Sequence, residues 1–339
     1  MKKQSFRRLA ALLLAAALAV TACACGKQEE TTVDPSLVEP SELRQSAKLL
    51  ADDHPGLTFR AFTVGTIPVV EVLTDDDTLR PLAVVYHAEG ECKEDALEAA
   101  VTFAEAGYRA FVMDAPSHGE AADGQTRTLP EIAVEYAKQT DSVLTYYYSG
   151  VESADLTRIA VCGESMGGMA ALWYLAHGEH RPFGTAVAMA TPSWQSMNPD
   201  GLISQSWCDG EQVYGRNAAE LPEGFLAENE PSAMTRVFRH APVYIISGAE
   251  DEDVTTDSIY SWYGPAIEEG AENLHWEIYQ GCRHDDRPAD FAANAVSWLA
   301  DYLPELESEE EEAEAEETSE AEETETEETS EAEETEAEE

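Results

Sequence analysis

The feature that most restricts the fold of this chain is an alternation. From residue 57 to residue 302, short apolar runs with strand character take turns with segments of helical periodicity. "LTFRAFTV" (57–64) and "IPVVEVL" (67–73) suit an opening antiparallel hairpin. "LAVVY" (82–86) then reads as a short buried strand, followed by the helix "KEDALEAAVTFAEAG", in which Ala96, Leu97, Ala100, Phe103 and Ala104 share one face. The strand "RAFVMD" (109–114) comes next, and after a loop a long helix beginning near Pro130. Further strands are expected at 157–162, 184–190, 241–247 and 274–279, with helices at 165–178, 255–269 and 287–302. Such βαβ alternation implies an α/β fold, a mainly parallel sheet covered by helices on both faces. The rhythm breaks between 191 and 240, a stretch containing Trp194, Trp207, Tyr214 and Phe225 that reads as an inserted cap.

One junction in this pattern carries a chemical signature. In "RIAVCGESMGGMAAL" (158–172), Gly163, Ser165 and Gly167 make G-x-S-x-G. A chain of this length throws up that pattern by chance roughly once in ten tries, so its surroundings must decide. Ser165 directly follows a strand and opens a helix, the setting of a nucleophile elbow. The turn is tight enough to strain the serine backbone, and glycines on either side remove Cβ atoms that would collide. The amide of Met166 then points into the space beside the serine hydroxyl.

Here the chain resembles the α/β-hydrolase family, particularly its prolyl oligopeptidase-like and dienelactone hydrolase-like esterase branches, over about residues 57–303. "MDAPSHGE" (113–120) is similar to the family's D-x-P-x-H-G-x loop. The elbow carries serine where dienelactone hydrolases proper have cysteine, which argues for the esterase side. The family order is nucleophile, acid, histidine. "GAEDEDV" after the strand "PVYIIS" is similar to the family's G-x-x-D-x-x-V and puts Asp251 on the acid position. "QGCRHDD" after "HWEIY" is similar to its G-x-x-H loop and puts His284 on the histidine position. A neutral serine hydroxyl is a poor nucleophile; an imidazole must take its proton, and a carboxylate must hold that imidazole in the right tautomer. Glu250 and Asp253 are rivals to Asp251, and His87, His118, His240 and His275 to His284. Only His284 both follows the last strand and precedes the final amphipathic helix "FAANAVSWLADYL". His118 is expected to pack or hydrogen-bond within its own loop.

The oxyanion loop departs from the family. Where many relatives have H-G-x-x-G after the third strand, this chain has "HAEG", with Ala88 at the first glycine position. The second donor beside the Met166 amide would be the amide of Glu89, or that of Ala88. The Glu89 side chain would oppose carboxylate-bearing substrates if it faces the site; a solvent-facing loop charge is the alternative.

The resemblance implies a carboxylesterase cleaving small or medium acyl esters through Ser165, His284 and Asp251. A peptidase, thioesterase or acyltransferase uses the same triad, and a non-catalytic binding protein on this fold is the reading from another class. No glycine-rich phosphate loop, HExxH helix or paired metal carboxylates appear, so no cofactor or metal is expected. Met166, Met169, Trp173 and Trp194 are read as packing.

The two ends look non-globular. Lys2, Lys3, Arg7 and Arg8 precede the apolar "LAALLLAAALAV" (9–20), a signal-peptide pattern too short to span a bilayer comfortably. "VTACACGK" resembles a bacterial lipobox, which implies cleavage before Cys23, acylation of its sulfur and a lipid anchor outside the cytoplasm; Cys25 is the alternative site. Residues 23–45 would then be a flexible tether, 46–304 the hydrolase domain and 305–339 a disordered acidic tail. That tail holds 21 of the glutamates behind a formal net charge of −48, leaving about −27 on the rest. Binding to nucleic acid is therefore disfavoured; the expected partners are a small ester or acyl substrate and, through the lipid, a membrane. Cys92, Cys162, Cys208 and Cys282 form no C-x-x-C pair, so a zinc site is not expected.

Overall fold

The structure, a computed structural model, describes residues 38–197, 202–286 and 288–305. The signal-like segment, Cys23 and the tail beyond residue 305 lie outside the described residues.

Among the described residues, a nine-stranded sheet runs in the order β1-β2-β3-β5-β4-β7-β8-β11-β12. Its strands are β1 (Val38–Pro40), β2 (Thr58–Val64), β3 (Ile67–Leu73), β4 (Arg80–Tyr86), β5 (Arg109–Met113), β7 (Ala154–Glu164), β8 (Gly184–Ala188), β11 (Val243–Gly248) and β12 (Leu274–Tyr279). From β5 through β12 the pairings are parallel, whereas β1, β2 and β3 join antiparallel. The hairpin, the parallel sheet and the helices between its strands follow the alternation read from the sequence. The end of the expected tether does not. Val38–Pro40 pairs with Val64–Phe62 of β2, and a helix, α1 (Gln45–Asp53), follows.

The strands are apolar on both sides because both sides are covered. Leu82, Val84, Tyr86, Phe111, Ile159, Val161 and Val187 face one layer, with α3 (Leu129–Gly150), α4 (Met166–His177) and α7 (Thr256–Glu268). The alternate residues Ala83, Val85, Ala110, Val112, Ala160, Cys162 and Ala186 face the other, with α1, α2 (Leu97–Glu105) and α8 (Phe291–Leu299). This is the period-two alternation of a strand buried on both faces. α4 is buried from Met166 to Ala176, so it has no polar face to show. Thr128 caps α3, its N–H and Oγ1–H both donating to Glu131 Oε2 (2.9 and 2.6 Å).

The insertion from 191 to 240 holds α5 (Phe225–Asn229), α6 (Thr235–His240) and a hairpin of β9 (Ser206–Cys208) and β10 (Glu211–Val213). That hairpin does not hang free. β9 pairs with β6 (Arg127–Thr128), Gly210 N–H donates to Ser117 O (2.6 Å), and Gly124 N–H donates to Asp209 Oδ1 (2.9 Å). Because the central strands are parallel, the carboxyl ends of β4, β5, β7, β8, β11 and β12 open onto one edge, where loops can converge.

Candidate active site

At the end of β7 the chain turns on Ser165, whose φ of 50° and ψ of −116° are unusual for a residue with a side chain. The neighbours force this. A Cβ on Gly163 would stand 2.4 Å from the Gly167 carbonyl carbon, and one on Gly167 would stand 2.4 Å from Tyr86 O. The turn is pinned by the Ser165 amide, which donates to Ala188 O at 3.0 Å.

Two more strand ends bring up the partners. The Glu250 amide donates to Cys282 O at 2.9 Å, and a Cβ on Gly248 would come within 2.2 Å of that same oxygen, so the loops after β11 and β12 touch backbone to backbone. This contact sets His284 Nδ1 2.9 Å from Asp251 Oδ2. His284 Nε2 lies 2.8 Å from Ser165 Oγ. Asp251 is itself oriented: its Oδ1 accepts the amides of Asp253 (2.9 Å) and Val254 (2.8 Å). Ser165, Asp251 and His284, singled out from sequence, are thus brought together, with exposures of only 4%, 5% and 8%. Burial alone would lower the His284 pKa, but the Asp251 hydrogen bond and the charges of Asp251, Glu89 and Asp253 outweigh it and raise it.

The rival residues lie elsewhere or do other work. His87 donates from Nδ1 to Ala88 O (2.7 Å) and accepts the Ala115 amide at Nε2 (2.9 Å), stitching two loops together. Burial pushes its pKa down to about 4, so it stays neutral. His118 is buried and bonds within its loop, to Pro116 O at 3.0 Å. His275 pairs with Glu277 on β12.

The loop after β4 bears on the two alternatives that its sequence leaves open. The Ala88 amide donates to Glu91 Oε2 (3.1 Å) and is therefore engaged within its own loop. The half-buried Glu89 turns its carboxylate toward Ser165. Ser165 Oγ–H donates to its Oε2 at 2.6 Å. One hydroxyl hydrogen cannot serve both Glu89 and His284. With the hydrogen on Glu89, the arrangement suits an imidazolium whose Nε2–H donates to Oγ. For Ser165 to act as a nucleophile, His284 must lose that proton and the hydroxyl must rotate toward Nε2.

A buried charge network, not foreseen from sequence, holds this loop. Lys93, 2% exposed, donates from Nζ to Asp114 Oδ2 (2.9 Å) and Glu120 Oε2 (3.0 Å), and from its amide to Asp114 Oδ1 (2.8 Å). The Glu120 amide adds a bond to Asp114 Oδ2 at 2.8 Å. Gly119, at φ +53°, is required here, since a Cβ would lie 2.2 Å from Asp114 Oδ1. The signal was available in "MDAPSHGE", whose Asp114 and Gly119 are the hub of the network and the room beside it. Cys92, Glu94 and Asp114 could in principle ligate a metal. The Lys93 ammonium already supplies the positive charge there. Asp251, Asp253 and His284 form a second such group, of which Asp251 and His284 are hydrogen-bonded to each other and His284 to Ser165. Cys92, Cys162, Cys208 and Cys282 are free thiols.

Residues 137–305, which include Ser165, Asp251 and His284, match the Prolyl oligopeptidase family. No curated protein matches the chain. Among solved structures, TT1662 from Thermus thermophilus is similar at 17% identity and TM-score 0.56, over 74% of this chain and 99% of that one. The Pyrococcus horikoshii acylaminoacyl peptidase aligns at 15% identity and TM-score 0.56, over 79% of this chain and 45% of its own. The Pyrococcus furiosus esterase Pf2001 aligns at 14% identity and TM-score 0.51, over 75% and 96%. At these identities the likeness shows the fold, which is that of the α/β-hydrolases; together with the family match it supports a hydrolase of esterase or peptidase type.

Proposed function

We propose that this protein is a serine hydrolase that cleaves small or medium acyl esters through a Ser165 acyl-enzyme. The observation that carries the reading is the hydrogen-bonded relay from Ser165 Oγ to His284 Nε2 and from Nδ1 to Asp251, built on a strained elbow. In this reading neutral His284 takes the Ser165 proton as Oγ attacks the carbonyl carbon, and Asp251 stabilises the imidazolium that results. The amides of Met166 and Glu89 receive the developing oxyanion. His284 then gives its proton to the leaving group and later activates the water that releases the acid. No cofactor enters any step.

A fluorophosphonate probe tests this. Labelling of the wild type but not of Ser165→Ala or His284→Ala supports it, with turnover of a series of p-nitrophenyl acyl esters as the second readout. A folded wild type that neither labels nor cleaves would sink the proposal and favour a binding protein on a hydrolase fold. The family match also favours a second reading, amide cleavage. Comparing acyl p-nitroanilides with p-nitrophenyl esters of the same acyl group separates the two. We further propose that the chain acts outside the cytoplasm, anchored by lipid on Cys23. The supporting observation is the basic and apolar run before "VTACAC". Cys23→Ala together with Cys25→Ala should abolish detergent-phase partitioning, and unchanged partitioning would remove the idea.

A further inference from the structure

A carboxylate bonded to the nucleophile of an acyl-transfer site works against the reaction. Glu89 Oε2 lies 2.6 Å from Ser165 Oγ, and the anionic tetrahedral intermediate would form on that same oxygen's carbonyl partner. Like charges so close, in a site sheltered from water, repel strongly. A cation carried by the substrate reverses the sign. It pairs with Oε2, takes over the acceptor that Ser165 was using, and frees the hydroxyl for His284.

Two side chains beside the Glu89 loop can also receive such a group. His118 is fully buried, and since the Pro116 carbonyl can only accept, the hydrogen of the ring sits on Nδ1. Its Nε2 is then a lone pair, and it has no partner among the described residues. Burial pushes the His118 pKa down, against the Pro116 bond and the charges of Glu89 and Asp114, so that lone pair stays available. Trp207 of β9 closes the group. Its ring centroid is 5.7 Å from that of His118, and its edge lies against Gly90, where an added Cβ would stand 3.3 Å from Cζ3. An indole face attracts cations, while its Nε1–H, buried without a partner among the described residues, would take an acceptor on the same ligand. Lys93, the cation on the same loop, is already held by Asp114 and Glu120. A carboxylate, an unused lone pair and an aromatic face are together the chemistry that recognises an ammonium group.

We propose that Glu89, His118 and Trp207 form a subsite for an ammonium group carried by the substrate near its scissile carbonyl. The enzyme would then prefer cationic esters or amides over neutral ones of the same shape. This inference rests on the serine-hydrolase reading above. The ammonium can sit on the acyl side or on the leaving group, and two isosteric pairs distinguish these. Alanine methyl ester and methyl isobutyrate differ only in an ammonium for a methyl on the acyl side. 3-Aminopropyl acetate and butyl acetate differ only in an ammonium for a methyl on the leaving group.

Each pair is assayed for kcat/KM at neutral pH on wild type, Glu89→Gln and Trp207→Leu, with fluorophosphonate labelling to show that each is folded and competent. In at least one pair the cationic member should lead by about tenfold or more in the wild type, the range of a charge-assisted hydrogen bond. In Glu89→Gln that lead should collapse toward unity, with turnover of the neutral member rising. Trp207→Leu should reduce it in part. A labelled wild type that turns over both members of each pair equally overturns the subsite and leaves the hydrolase standing. So does a preference that Glu89→Gln leaves in place. Failure of the wild type to label or turn over any substrate overturns both.

Discussion

The two sides of the Ser165 hydroxyl are built by different physics. On the elbow side, position is set by exclusion: Gly163 and Gly167 sit where a Cβ would enter backbone atoms 2.4 Å away. On the Glu89 side, the loop from His87 to Asp95 is set by attraction, through the buried Lys93 ammonium and the Asp114 and Glu120 carboxylates. Steric positioning admits one geometry and leaves a short local signature. Charge positioning depends on partners far apart in the chain and leaves room for a variable residue, here Glu89, at the most sensitive spot.

The comparison can be broken at several points. The largest effect is expected from Ser165→Ala, which should lower kcat by about 10⁴-fold or more and abolish covalent labelling, measured by p-nitrophenyl ester turnover. Retention of more than a small fraction of activity would mean the elbow does not carry the chemistry. Asp114→Ala strips a buried cation of its best partner. It should destabilise the fold by about 3 kcal/mol or more, seen as a lower urea midpoint. A midpoint equal to wild type would show that the loop does not depend on the charge network. Gly167→Ala forces a Cβ toward Tyr86 O. Strain of roughly 1–3 kcal/mol is expected in the same urea experiment, together with loss of fluorophosphonate labelling as the elbow shifts. The two variants sharpen the contrast if Gly167→Ala loses labelling disproportionately to its stability.

The smallest effect is a pH shift. The base form of His284 is the one that takes a proton, so kcat/KM should rise with pH on the acid side. Because the His284 pKa is raised in the folded protein, the half-rise should lie above the ordinary 6.5. Glu89 is one of the carboxylates that favour the imidazolium, so Glu89→Gln should move the half-rise to lower pH on a neutral ester substrate. An acid limb that stays in place would show that Glu89 does not act on His284.

Much of this was readable in the chain because period and order are local properties. The strands that deliver Ser165, Asp251 and His284 are contiguous apolar runs, and the three residues stand in loops directly after them. The orientation of the Glu89 side chain was not readable. Whether a half-buried carboxylate turns to solvent or to a hydroxyl depends on its partner Ser165, far from it in sequence. The Lys93–Asp114–Glu120 network escaped for the same reason: each member alone looks like a surface charge. Val38–Pro40 reads as tether from the sequence because a strand of three residues is too short to show a period.

That strand decides how the sheet meets a pull from the N-terminal side. β1 holds to β2 through three residue pairs, and Pro40 has no amide hydrogen to contribute. β2, β3, β5 and β4 all stand between it and β7. Tension arriving along the chain would therefore meet β1 first and peel it from its edge, like a seam opening at its last stitch. The strand that carries Ser165 lies behind four others from that edge.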